Sequence, residues 1–292
     1  MTLARLARTQ PRLIDWCIRL DRAPAGCWLA MQAAALAPTW LWMASRMRDG
    51  SDDPLGLLAL AALAALAWTT RRELRAAPRL SWLSLAVCGT LAATLLRDGF
   101  GWLPALPPLA AGLLAVLALA AGLVAFLPRR IAALPVAGLA VLALPLLSSL
   151  QFYAGYPLRV VTAEASRWLL APGFSVEREG TSLLVNGRLV IVDAPCSGVQ
   201  MVWLGYFTAC AVALWAGRSD RTFLARLPLV GLLVLAGNIL RNSVLVAFEG
   251  SQSALVPWLH EALGLAVLAL VCGVIAPAMA RTGGRHVDAT AA

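Results

Sequence analysis

Three short clusters in the chain hold residue types that could do chemistry. They are Asp193-Ala-Pro-Cys196-Ser-Gly198, Gly237-Asn238-Ile-Leu-Arg241-Asn242-Ser243 and Trp258-Leu-His260-Glu261-Ala-Leu-Gly264. Each has a plain structural reading when taken alone. Cys196 reads as a loop thiol or half of a disulfide, Arg241 as a guanidinium snorkelling out of an apolar helix, and His260 as a structural histidine. Together they form a set suited to covalent acyl transfer. A thiolate attacks a carbonyl carbon, an imidazole moves the protons, and a guanidinium stabilises the developing oxyanion or orients the substrate. Cys196 precedes a long apolar run, and the dipole and free N–H groups of a helix starting there would favour its thiolate. Asn238 lies three residues before Arg241 and can share its face, whereas Asn242 points about 100° around the helix. Asn238, Asn242 and Gln200 are candidate substrate-binding residues, with Gln200, one turn beyond Cys196, as a possible oxyanion donor.

The elements that must position these groups belong to a membrane. Of the 292 residues, 60% are hydrophobic and only 13% charged, and mean hydropathy is +0.77. Soluble domains carry about 25% charged residues, so this is the composition of an integral membrane protein. All 24 basic residues are arginine and the formal net charge is +9. The arginines sit in short clusters between apolar runs, the pattern of topology signals, and no nucleic-acid partner is expected. Among the 6 cysteines, Cys88, Cys210 and Cys272 lie inside apolar runs as small hydrophobes, and Cys17 and Cys27 lie near the N-terminus. No C-x-x-C pair occurs, so neither metal nor cofactor is expected. The basic N-terminus (Arg5, Arg8, Arg12) is not followed by the short apolar core and cleavage site of a removable signal peptide.

A helical crossing takes about 20 apolar residues. Eight runs qualify as candidate spans: 28–45, 55–70, 80–96, 104–127, 131–150, 199–216, 227–248 and 258–280. With eight spans, Arg5–Arg22, Arg71–Arg79, Arg129–Arg130, Arg218–Arg226 and Arg281–Arg285 all fall on one side, which the positive-inside rule makes cytoplasmic. Both termini then face the cytoplasm. Trp28, Trp68, Trp82, Trp102 and Trp258 fall at span ends. Residues 1–27 form a cytoplasmic segment, 28–150 a five-helix membrane region, 151–198 an outer loop, 199–280 a three-helix catalytic core and 281–292 a cytoplasmic tail. Cys196 is the one cysteine placed in the outer aqueous segment, which leaves it without a disulfide partner. Arg241 falls roughly 10 Å below the outer end of the seventh span, in the same leaflet as Cys196 and His260.

The outer loop has β character. Phe174–Arg178, Thr181–Val185 and Arg188–Asp193 read as strands, and Asn186-Gly187 is a strong two-residue hairpin signal. A small β-hairpin or meander before the sixth helix is expected, delivering the chain to Cys196. Glu177, Arg178, Glu179 and Arg188 on it either read polar groups of a substrate or are solvated charges. The predicted fold class is all-α integral membrane, with about eight transmembrane helices and this outer hairpin.

The hairpin leading into Cys196-Ser197-Gly198, the Asn238-x-x-Arg241 of the next helix and the His260-x-x-x-Gly264 of the last, in this order, resemble the exosortase/archaeosortase family. These are polytopic membrane cysteine transpeptidases, and the resemblance is carried by about residues 150–280. It implies Cys196 as nucleophile, Arg241 as transition-state or substrate-orienting group and His260 as general acid/base. It also implies exported proteins as substrates. Their C-terminal sorting signal would be a Pro-Glu-Pro-like motif, a membrane helix and a basic tail, cleaved through a thioacyl-enzyme and passed to an envelope acceptor. Many relatives accompany exopolysaccharide genes. The location implied is a bacterial inner membrane, with the site on its periplasmic face. Pro195 stands where the family pattern has a small or acidic residue, which leaves the subfamily and the recognised motif open. The competing reading is a polytopic transporter using Arg241 and Asn238 as a polar site. It leaves Cys196 and His260 at the same depth unexplained, and the chain shows no internal repeat. A non-catalytic envelope scaffold is the remaining alternative.

Overall fold

The computed structural model describes residues 23–50, 54–99, 101–102, 104–191, 198–251 and 257–281. The described residues are mostly helical. In chain order the helices are α1 (Ala25–Ala35), α2 (Ala37–Arg48), α3 (Gly56–Thr70), α4 (Leu80–Arg97), α5 (Pro108–Phe126), α6 (Ala133–Leu142) and α7 (Leu147–Leu170). Strands β1 (Val176–Glu179), β2 (Ser182–Val185) and β3 (Arg188–Ile191) follow, and then α8 (Val199–Trp215), α9 (Asp220–Gly250) and α10 (Pro257–Ala280).

Two expected spans are broken. The run 28–45 is not one helix, because the backbone turns at Leu36 between α1 and α2. Pro38 has no N–H for the Ala34 carbonyl, and its ring would clash there. The run 131–150 ends instead at Leu142, and α6 meets α7 at 94°. Pro145 lies in the break and has no N–H for the Val141 carbonyl, which accepts from Leu144 N at 3.1 Å in a tighter turn. Residues 151–170, expected as outer loop, continue α7 as helix. Among the described residues, α4, α5, α9 and α10 are long and apolar enough to cross a membrane, and the bent α6–α7 pair makes a fifth if taken as one span. The apolar helices α3 and α8 have 15 and 17 residues, short of the ~20 of a full crossing. The expected count of eight spans is therefore not met by length and composition.

The chain divides into two compact units, Met1–Ala44 with Ala65–Pro128, and Ser45–Ala64 with Arg129–Ala292. In the first, Gln32 of α1 donates through Nε2 to Thr90 Oγ1 of α4 at 3.0 Å and to the Ala118 carbonyl of α5 at 2.8 Å. One amide thus ties three helices where lipid offers no competing partner. Arg79 donates to the Val124 carbonyl near the end of α5.

The second unit holds the candidate site. Its core runs through α8, α9 and α10, with Met201, Ala209, Phe223, Val234, Val271 and Ile275 buried together. Gly205 leaves no room for a Cβ against Val234, nor does Gly237 against Val271, so small residues set the close approach, as is usual between membrane helices. Buried Trp203 of α8 donates through Nε1 to the Leu142 carbonyl at 3.1 Å, closing the last turn of α6. At the other end of the helices, Arg226 donates to the carbonyls of Met279 at 2.8 Å and Arg281 at 2.7 Å, and Arg218 to Ala280 at 2.6 Å. The arginine clusters of the sequence thus also close the C-terminus of α10, where cations suit the helix dipole.

The β segment is a three-stranded antiparallel meander in the order β1-β2-β3. Asn186 (φ 50°) and Gly187 (φ 80°) make its β2–β3 turn, both in the left-handed region the Asn-Gly signal requires. Val176 pairs with Val185, and Leu183 with Val190. Leu183, Val185 and Val190 bury one face against Ala163 and Leu170 of α7 and Leu245 and Val246 of α9.

Candidate active site

α8 begins at Gly198, which adopts a left-handed conformation (φ 82°, ψ 2°) at the N-cap, and its carbonyl accepts from Val202 N at 2.9 Å. A side chain here would be strained and would also collide. An added Cβ would lie 2.6 to 2.8 Å from the Asn238 carboxamide atoms. Only glycine lets the backbone seat on that amide. Cys196, with Pro195 and Ser197, lies outside the described residues.

Asn238 and Asn242 sit on α9 and are both 3% exposed. Asn238 donates through Nδ2 to Thr162 Oγ1 at 3.0 Å, and Asn242 through Nδ2 to Ser166 Oγ at 3.0 Å. Thr162 and Ser166 are fully buried on α7. Sequence reasoning took the two asparagines as substrate-binding residues. Their carboxamides face α7, and neither lines the cavity beside Arg241. Thr162 and Ser166 were missed altogether. Their four-residue spacing, which repeats that of Asn238 and Asn242, was the available signal.

Arg241 is half-buried, and its guanidinium lies over Gly264 of α10. A Cβ on Gly264 would fall 3.1 Å from Nε and Nη2 and 3.3 Å from Cζ. A cavity of about 290 Å³ opens here, lined by Gln200, Met201 and Leu204 of α8, Arg241, and Glu261, Gly264, Leu265 and Leu268 of α10. It is graded: Gln200 and Glu261 mark one end and the leucines the other. Gln200 is exposed in the first turn of α8. His260 is half-buried in the first turn of α10, one turn before Gly264 and so on the same face. The structure therefore brings Gln200 and Arg241 to one cavity and puts His260 at the head of the helix that walls it.

The sheet is moored beside the site by its arginines. Arg178 donates to Glu164 Oε2 at 2.8 Å and to the Gly180 carbonyl at 2.7 Å. Arg188 donates to the Glu249 carbonyl at 3.3 Å. Glu164 also accepts from Arg167 Nη2 at 2.6 Å and Trp168 Nε1 at 2.8 Å. Of the four hairpin charges singled out from sequence, both arginines hold the sheet to α7 and α9, and Glu177 and Glu179 are exposed.

Apolar helices of this length, joined through small residues and buried amides, define an integral membrane protein with a cavity of mixed polar and apolar lining among its last helices. The family model for Transmembrane exosortase (Exosortase_EpsH) matches residues 22–276, and the chain belongs to that family. No curated protein and no solved structure matches it.

Proposed function

We propose that the chain is a membrane cysteine transpeptidase or protease acting on the C-terminal sorting signals of exported proteins. The observation that carries this reading is the Arg241 guanidinium seated on Gly264, in a graded cavity between α8 and α10. α8 is the helix that Cys196 precedes, and α10 is the helix that His260 heads. In this mechanism the Cys196 thiolate attacks the carbonyl carbon of the scissile peptide. The oxyanion that forms is met by Arg241, with Gln200 at the rim as a second donor. His260 protonates the departing amine, and a thioester remains on Cys196. An acceptor nucleophile then gives its proton to His260, attacks the thioester and frees the thiol. The gradient of the cavity suits a substrate that changes from a polar motif to an apolar helix. Confinement of both partners to one bilayer would raise their effective concentration. The sorting signal itself, the envelope acceptor, the periplasmic placement of the site and cytoplasmic termini all belong to this proposal. A transport pathway through Arg241, Asn238 and Asn242 is disfavoured, because both carboxamides are buried against α7.

The test is a thioester trap. The protein is co-expressed with exported proteins bearing candidate tripartite tails, and Cys196 peptides are searched for a hydroxylamine-sensitive adduct. An adduct, lost together with processing in Cys196→Ala, Arg241→Ala and His260→Ala, supports the reading. Full processing by Cys196→Ala ends it.

A further inference from the structure

We propose that Thr162 and Ser166 of α7 are positioning residues for Arg241: with the two asparagines of α9 they fix the roll and height of that helix. The inference rests on the reading of Arg241 as a group of an acyl-transfer site. The geometry is a two-rung ladder. Thr162 meets Asn238 and Ser166 meets Asn242, each at 3.0 Å. Both pairs advance by four residues in the same direction, so α7 and α9 run parallel and the rungs lie one turn apart. All four side chains are at most 3% exposed. The Ser166 hydroxyl also faces the Ile239 carbonyl as donor, at 3.5 Å.

Arg241 lies between the rungs in sequence. At 100° per residue it projects about 80° away from their midpoint, toward Gly264 of α10. A roll of α9 that broke the ladder would swing the guanidinium off Gly264. Apolar side chains in the same four places would bury as well but would tolerate several rolls and registers. Paired buried polar groups select one. The Thr162–Asn238 rung also touches the start of α8, because the Asn238 carboxamide is the surface on which Gly198 seats. Its Oδ1 is buried with no hydrogen-bond partner among the described residues.

The test asks whether the hydroxyl or the bulk of Thr162 matters. Full-length protein in nanodiscs is treated with phenylglyoxal, and the modification rate of Arg241 is read by mass spectrometry against Arg226 in the same sample. Thr162→Val keeps the shape and removes the hydroxyl, whereas Thr162→Ser keeps the hydroxyl and removes a methyl. The ladder predicts that Thr162→Val raises the Arg241 rate on the order of three- to fifteen-fold, the factor one membrane hydrogen bond gives. Thr162→Ser should stay within about two-fold of wild type, and Ser166→Ala should act as Thr162→Val does. A packing role predicts the reverse order, with valine silent and serine perturbed. That order, or an unchanged Arg241 rate in Thr162→Val, overturns the proposal. If Ser166→Ala fails to accumulate, the valine–serine comparison at Thr162 decides alone. Phenylglyoxal needs no substrate, so the readings fail separately. A shifted rate without a Cys196 adduct removes the acyl-transfer reading, and an adduct with no shifted rate removes the ladder.

Discussion

Gly264→Ala is the most direct perturbation of the candidate site. The new Cβ would stand 3.1 Å from Arg241 Nε and Nη2, where non-bonded heavy atoms prefer about 3.5–4.0 Å. The guanidinium would have to retreat by about 0.4 Å or more. Complete loss of an oxyanion donor costs about 10²- to 10³-fold in rate. A displaced donor should cost less, and about ten-fold is expected, or about 1.4 kcal/mol of transition-state stabilisation. Stability should fall by up to about 2 kcal/mol. Alanine for glycine inside a helix gains up to about 1 kcal/mol, set against an overpacking cost of about 1–3 kcal/mol. Gly273 of the same helix has nothing within 4 Å of an added Cβ and supplies the control. Gly273→Ala should match or exceed wild-type thermal stability and leave the rate alone. The assay is the time course of thioester formation on Cys196 under single-turnover conditions, alongside thermal unfolding of each variant. Wild-type acylation by Gly264→Ala, or an equal loss in Gly273→Ala, would show that the contact between Arg241 and Gly264 does not govern the chemistry.

Trp203→Phe removes the donor to the Leu142 carbonyl and exchanges a fully buried indole for a smaller ring. It should lower stability by more than the about 0.6–1.7 kcal/mol of the hydrogen bond alone, because a cavity is left as well, seen as a reduced melting temperature in detergent. Gly187→Ala places a side chain at φ 80° and should cost about 1 kcal/mol. That cost should appear as faster amide exchange across β2 and β3, with exchange in α9 unchanged. Arg226→Ala frees the Met279 and Arg281 carbonyls and should speed exchange in the last turn of α10 while leaving the middle of the helix protected.

Much of the apolar framework was legible because its signals are strong and local. The runs that became α4, α5, α8 and α10 begin and end within a few residues of the expected bounds. The Asn186-Gly187 turn announced the β2–β3 hairpin, and the third strand followed from the same β-rich composition. α7 was lost because, between Leu147 and Leu170 at its ends, it buries Gly155, Thr162, Ala163 and Ser166. A face of small and hydroxyl residues carries no hydrophobic period. Its Pro157, Arg159 and Glu164 made the segment read as aqueous loop. With α7 absent from the expected bundle, the hydroxyls that meet Asn238 and Asn242 could not be named. The Arg241–Gly264 contact was half legible. His260-x-x-x-Gly264 was noted as a motif, but that its glycine clears space for a guanidinium from α9 needed coordinates. Cys196, the expected nucleophile, lies outside the described residues.

The parallel course of α7 and α9 makes the site's vertical adjustment discrete. Matched rungs every four residues coincide fully at one setting. The next setting lies about 6 Å away along the axis and keeps a single rung, Ser166 against Asn238. Between the two, both buried amides lose their partners at once, at a cost no lipid can offset. In this chain the depth of the Arg241 guanidinium can thus be reset only in whole-turn steps, like a tooth on a ratchet.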